Sequence, residues 1–277
     1  MTTLRTEALV LRSVDVGESD RILHLLVPDC GRLTAVAKGA RRSRRRFAGT
    51  LDLFNHLRVE VERRRASSLA RLDQATLLEA FTPLRAETAR FALGCYLIEL
   101  LDRLAPEGAP RADAARLFSF ALAALRCVAQ RNPDARLRTL LELRALDALG
   151  VRPELGRCVR CGARVEGPRV DFRVPEGGPR CAGCGAGRSP GAGMSLHLGT
   201  LRALEQGLRL DLRRLDRLAL SPGALREAGE LMRRFQRFHL GMELRSERFL
   251  DETLARRILP APPPGLPRAQ DPWLSTG

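Results

Sequence analysis

The hydrophobic pattern of this 277-residue chain changes period once, near residue 80, and that switch limits the fold more than any other feature. Before it, apolar residues alternate with polar ones. In residues 56–62, Leu57, Val59 and Val61 share one face while Arg58, Glu60 and Glu62 share the other, the signature of a half-buried strand. Four further segments read as strands: 6–16, closed by Gly17; 21–27, ended by Pro28; 32–39, begun after Gly31; and 68–78. The phrase VPDCGR supplies the tight turn between the second and third. Five short strands separated by turn chemistry predict a small closed barrel of the OB type.

Beyond residue 84 the period becomes helical. Residues 84–104 place Phe91, Cys95, Ile98 and Leu101 on one stripe, and residues 111–131 make a second helix. A third is expected to start at Asn132-Pro133-Asp134, with Asn132 as the cap and proline at the first helical position, and to stop at Gly150. Helix resumes at about 197–207. A longer one, running through residue 244, opens with Ser221-Pro222, a second cap-then-proline start. The predicted fold class is therefore multi-domain α+β. An OB barrel at 1–80 precedes an all-α domain at 81–255, which carries a glycine- and proline-rich insertion at about 151–193. A proline-rich tail at 256–277, with Trp273, reads as disordered.

The insertion holds Cys158, Cys161, Cys181 and Cys184, two C-x2-C pairs with nineteen residues between them. Each pair turns two sulfurs toward one ion, and two such knuckles complete a tetrahedron. Four thiolates leave no position for water, so the predicted cofactor is one structural zinc per chain rather than a catalytic metal. Such an ion would order a loop with little core of its own. Cys30, Cys95 and Cys127 are unpaired in sequence, and the last two fall on apolar helical faces, where cysteine acts as a small hydrophobe.

Charge is the second strong signal. The phrase KGARRSRRRFAG places Lys38, Arg41, Arg42, Arg44, Arg45 and Arg46 within nine residues without one acid, and Arg63, Arg64 and Arg65 follow after the next strand. The chain's formal net charge is +15. Lys38 is the only lysine among 47 basic residues, so arginine enrichment is general and the clustering carries the information. A basic loop between strands three and four of a barrel predicts contact with nucleic acid. Phe47 and Phe54 are the only aromatic residues before Phe81, too few for a base-stacking platform. Phosphate contact should dominate, with little sequence preference and strong salt dependence.

Nothing in the sequence reads as an enzyme. Glu18 and Asp20 in VGESDRI, with Asp15 just before it, could be set against a nuclease metal site, but a capped turn explains them better. His24, His56, His197 and His239 are scattered and read as structural. No phosphate-binding or nucleophile-elbow motif occurs. The N-terminus lacks a leader pattern and no run is long and apolar enough to span a membrane, so the expected location is cytoplasmic, at the nucleoid.

Three phrases together resemble the RecO family of recombination mediators: VGESDRILHLLVPDCGRLTAVAKGARRSRRRFAGTLDLF at 16–54, LELRALDALGVRPELGRCVRCG at 141–162 and HLGMELRSERFL at 239–250. The resemblance spans residues 1–254. It implies an N-terminal OB barrel, a helical C-terminal domain and, in members with the knuckles, bound zinc. It also implies binding to single- and double-stranded DNA and annealing of complementary strands. With the partner RecR, such proteins help load RecA onto gaps covered by single-strand-binding protein, whose acidic tail some members dock on the helical domain. Lys38, Arg41, Arg42, Arg44, Arg45 and Arg46 match the basic barrel segment implicated in DNA contact. The rival reading is a DNA-anchored scaffold for protein docking without intrinsic annealing.

Overall fold

The computed structural model describes residues 2–43, 45–47, 49–63, 69–185, 193–241 and 243–258. The first five strands are β1 (Thr2–Val16), β2 (Asp20–Val27), β3 (Gly31–Ala37), β4 (His56–Arg63) and β5 (Ala70–Glu79). They close a barrel in the order β1-β2-β3-β5-β4, with β4 returning to β1. All ladders are antiparallel except the short closing pair, where Ala35 and Val36 of β3 meet Ala70 and Arg71 of β5. The expected barrel is thus present.

Strand β1 departs from simple alternation. Residues 8–11 are buried on both faces: Ala8 and Val10 join Leu23, Leu25, Leu57 and Val59 inside the barrel, while Leu9 and Leu11 pack outward with Leu26 and Phe54 into the helical core. A register shift between Val10 and Arg12 accompanies the change, as a bulge would. The barrel is therefore seated on the helices rather than tethered to them. Polar contacts complete the seam. His24 Nδ1 lies 2.6 Å from the Asp102 carboxylate, and Arg32 donates to the Asp102 carbonyl at 2.7 Å. At Gly31 (φ +81°) a Cβ would stand 2.4 Å from the Pro106 carbonyl oxygen, so only glycine fits there.

The helices are α1 (Thr82–Ala86), α2 (Thr88–Leu104), α3 (Arg111–Gln130) and α4 (Ala135–Ala148). The expected single stripe on α2 needs correction. Ile98 and Leu101 are buried, but Phe91 is 37% exposed and Cys95 half-buried. The helix touches β1, α1, α3, α4 and α8 (Arg245–Ile258) and so is buried around most of its circumference. The start of α4 also differs from expectation. Asp134, not Asn132, is the cap, its carboxylate accepting the Leu137 N–H at 2.6 Å, and the helix begins two residues late. The end agrees: Gly150 turns with φ +77°.

The insertion is more ordered than its composition suggests. Strands β6 (Arg169–Arg173), β7 (Gly178–Arg180) and β8 (Gly193–His197) form an antiparallel sheet in the order β7-β6-β8, with the short helix α5 (Ala182–Gly185) between β7 and β8. Val165, Val170, Phe172, Val174 and Leu196 belong to the helical core, so the segment shares a core instead of lacking one. Helices α6 (Leu198–Arg209) and α7 (Pro222–Leu240) follow. Ser221 caps α7 as expected, accepting the Ala224 N–H at 3.2 Å. Gly241 (φ +58°) ends it four residues early, and α8 begins as a separate helix. The tail from residue 259, including Trp273, lies outside the described residues.

Candidate nucleic-acid interface and metal centre

The basic loop leaves β3 at Lys38 and is tied down by both apolar and polar contacts. Ala40, Phe47 and Leu51 are buried in the barrel core, so small and aromatic residues inside the arginine run act as plugs. Between the plugs the backbone is held to its neighbours: the Arg41 N–H donates to the Ser19 carbonyl at 3.0 Å and the Ala75 N–H to the Arg46 carbonyl at 3.2 Å. The Arg46 guanidinium lies over the Phe47 ring at 5.0 Å and donates to the Lys38 carbonyl at 2.8 Å. Lys38, Arg41 and Arg42 are thereby gathered beside the β1–β2 turn, and Arg46 is folded back onto Lys38. Arg44, Arg64 and Arg65 lie outside the described residues. Arg63 ends β4 opposite Thr2, and β5 starts beside Ala35, close to where the basic loop departs.

The run is acid-free in sequence but not in space. Lys38 Nζ pairs with Asp20 at 2.7 Å, Arg42 with Glu18 at 3.2 Å and Arg41 with Asp15 at 3.5 Å. Asp15 also holds Arg21 at 2.8 Å. Asp20 accepts the Gly39 N–H at 2.8 Å. That bond, then the Lys38 ammonium, brings its carboxyl down to about 2. Arg45 is exposed, and its side chain has no partner among the described residues. Each of the three carboxylates is thus engaged by a basic side chain. Phe47 and Phe54 are both buried, and so offer no stacking face to a base.

Sequence reasoning read Asp20 as part of a capped turn and Phe47 only as one of two aromatics, without their ties to the basic loop, and it passed over a basic cleft in the helical domain. There α3, α4 and the 3₁₀ turn Leu212–Arg217 enclose about 620 Å³. Phe120, Ala123 and Leu212 give it an apolar floor, and Arg126, Arg131, Arg144 and Arg213 line it. Arg144 is locked by the carbonyls of Leu208 (2.6 Å) and Leu210 (2.7 Å), and Arg131 pairs with Asp216 at 3.0 Å. The four arginines come from three separate elements, which explains why no local run announced them.

The four insertion cysteines converge. All four Sγ atoms lie within 4.8 Å of one another, and Cys161 and Cys181 are 3.6 Å apart. Zinc–sulfur bonds of about 2.3 Å place tetrahedral sulfurs roughly 3.8 Å apart, so the set fits one such ion. Each knuckle has its own turn: the Gly162 N–H donates to the Cys158 carbonyl and the Gly185 N–H to the Cys181 carbonyl, both at 2.9 Å. Gly162 adopts φ +74°, the backbone such a turn requires. Burial alone would raise the Cys158 thiol, but N–H donors of Cys181, Cys161 and Arg160 outweigh it and hold it at about 6. Among the described residues no other set of metal-ligand side chains comes together.

Cys95, Cys127 and the remaining histidines are accounted for locally. Burial, then the charge of Glu99, pushes Cys95 up to about 11, and burial raises Cys127 as well. His56 pairs with Glu7, His197 with Glu227, and His239 with the Val174 carbonyl.

Two family models match the chain. Recombination protein O N terminal covers residues 1–81, and Recombination protein O C terminal covers residues 85–248. The DNA repair protein RecO of Anaeromyxobacter sp. (strain K) is 42% identical over 258 residues, spanning 91% of this chain and 97% of the relative. The protein of the same name from Myxococcus xanthus (strain DK1622) is 37% identical over 247 residues, 88% of this chain and 95% of the relative. That from Roseiflexus sp. (strain RS-1) is 36% identical over 249 residues, 90% and 85% respectively.

Proposed function

Because the chain belongs to the RecO family of DNA repair proteins, we propose that it is a recombination mediator that binds single- and double-stranded DNA through phosphate and anneals complementary strands. With RecR it then helps load RecA onto DNA coated by single-strand-binding protein. The observation that carries this reading is the anchored arginine loop beside a barrel whose aromatics are buried. Two strands approaching within about 10 Å repel through their phosphates. Guanidinium groups held on a rigid body screen that repulsion and leave the base edges free to pair. Annealing makes and breaks no covalent bond, so the reading assigns no catalytic group.

The other parts take supporting roles. Zinc is the ion we assign to Cys158, Cys161, Cys181 and Cys184, as a structural brace with a full coordination shell. The arginine-lined cleft suits an acidic peptide with apolar side chains, and is where we place the tail of single-strand-binding protein. No described helix is long and apolar enough to cross a membrane, and the proposed location is the cytoplasmic nucleoid.

A fluorescence annealing time course across salt tests the reading. Six cations neutralising six phosphates on a single strand imply a log–log slope of affinity against salt of about −4, or roughly 300-fold between 50 and 200 mM. Replacing Arg42, Arg45 and Arg46 with alanine should flatten that slope by about 2 and slow annealing in proportion. An unchanged slope would remove the loop from the interface. DNA binding without annealing by the isolated protein would favour the scaffold reading instead.

A further inference from the structure

The β1–β2 turn does more than sit beside the basic loop. Resting on the DNA-contact reading above, we propose that this acidic turn controls the loop in two opposite ways. Asp20 positions it, whereas Glu18, with Asp15, occupies Arg42 and Arg41 until phosphate takes their place.

Asp20 has the geometry of an anchor. Its side chain is only 20% exposed, and it accepts from three donors: the Gly39 N–H at 2.8 Å, Lys38 Nζ at 2.7 Å and the Ser19 hydroxyl at 3.1 Å. Gly39 is the point where the chain turns out of β3, with φ +65°. Two residues on, the Arg41 N–H bonds the Ser19 carbonyl, so the root of the loop is fastened twice to the same turn. Arg46 then closes back onto the Lys38 carbonyl. The guanidinium groups between these fixed points inherit their direction from the root.

Glu18 has the opposite character. Its side chain is 90% exposed and that of its partner Arg42 is 72% exposed. An ion pair in that much water holds weakly. A carboxylate accepting from a guanidinium is also a close stand-in for a phosphate oxygen. DNA brings in addition the release of condensed counterions, which a lone carboxylate cannot match. Asp15 is the weaker competitor because it is shared, with Arg21 at 2.8 Å against 3.5 Å for Arg41. Free protein therefore carries a loop whose charges are partly answered from within, and a polyanion displaces the internal answer.

Simple electrostatics makes a different forecast. Neutralising either acid adds one positive charge to the same patch, so both changes should tighten DNA. The proposal gives them opposite signs. Anisotropy of labelled single-stranded oligonucleotide with the full chain, titrated across salt, decides between them. Glu18→Gln should tighten binding about three- to fivefold with the slope close to that of wild type, because Arg42 meets phosphate in both complexes. Asp20→Ala should weaken binding at least about fivefold and flatten the slope by about 0.7, one phosphate fewer. Asp20→Asn, which keeps an oxygen acceptor for the Gly39 N–H, should recover most of that loss, and a melting curve run beside each variant checks that the barrel stands. Both variants tightening, or Glu18→Gln leaving affinity unchanged, overturns the proposal. Arg42→Ala with Arg45→Ala separates the two readings. If that pair weakens binding while the acid variants disobey, only the turn's role falls. If the pair has no effect, the loop is not the DNA contact.

Discussion

The basic loop and the cysteine knuckles are both glycine- and arginine-bearing segments that lie mostly outside regular structure, yet they are held by different forces. The loop is pinned by many weak ties: three buried plugs, a few backbone bonds and solvent-exposed ion pairs. The knuckles converge on a single point where four sulfurs meet. A segment pinned by many ties yields gradually, residue by residue, and its charged tips stay free to exchange partners. A segment pinned at one point holds or fails as a unit. The first arrangement suits a surface that must trade internal contacts for a ligand, and the second suits a brace.

The largest expected effect would break that contrast outright. Zinc binding to such a site is worth on the order of 10 kcal/mol, and Phe172, Val174 and Leu196 of the same segment lie in the helical core. Purified protein should carry close to one zinc per chain by elemental analysis. Chelation, or Cys158→Ser, should lower the melting temperature of the whole helical half rather than of a local loop. A metal-free preparation with the same Tm would show that the brace needs no ion.

A smaller effect belongs to the loop's aromatic plug. Phe47 is 3% exposed, and truncating a buried phenylalanine to alanine costs about 3–5 kcal/mol. Phe47→Ala should lower barrel stability in urea and weaken DNA binding together, because Arg46 loses the ring it lies over. Wild-type DNA affinity in a destabilised barrel would mean that the tips do not depend on the plug.

The smallest effect is a pH dependence. The Asp20 carboxyl titrates near 2 in the folded protein, below its usual 3.8. A folded value lowered in this way stabilises the native state above the unfolded value, and that contribution disappears as pH falls through the folded one. The stability difference between wild type and Asp20→Asn should therefore stay constant above about pH 5 and close progressively as pH falls toward 2. A difference unchanged down to pH 2 would detach Asp20 from the loop's anchoring.

Much of the fold was legible because its signals are local. Alternation in residues 56–62 marked β4, the paired C-x2-C spacing marked the knuckles, and Ser221-Pro222 marked the start of α7. What escaped was decided at a distance. The acids that answer Lys38, Arg41 and Arg42 come from the preceding hairpin, so an acid-free run in the chain became a compensated patch in space. Helix α2 is surrounded, so a one-stripe reading put Phe91 inside when it stands partly in solvent. Asn132 and Asp134 are both good caps two residues apart, and the one whose carboxylate meets the Leu137 N–H prevailed. The three-stranded sheet of the insertion uses strands of three to five residues rich in glycine, proline and arginine, too short to show a period.

The seam where Gly31 meets Pro106 and His24 meets Asp102 has a mechanical corollary. Leu9, Leu11, Leu26 and Phe54 are interleaved with the helices there, so the two halves cannot pivot without opening a shared core. The arginines at the barrel's rim and those of the helical cleft consequently sit at one set separation, like the jaws of a locked caliper. On the function proposed above, a nucleic-acid strand at the loop and a protein tail in the cleft would be presented to each other at a spacing written into the fold.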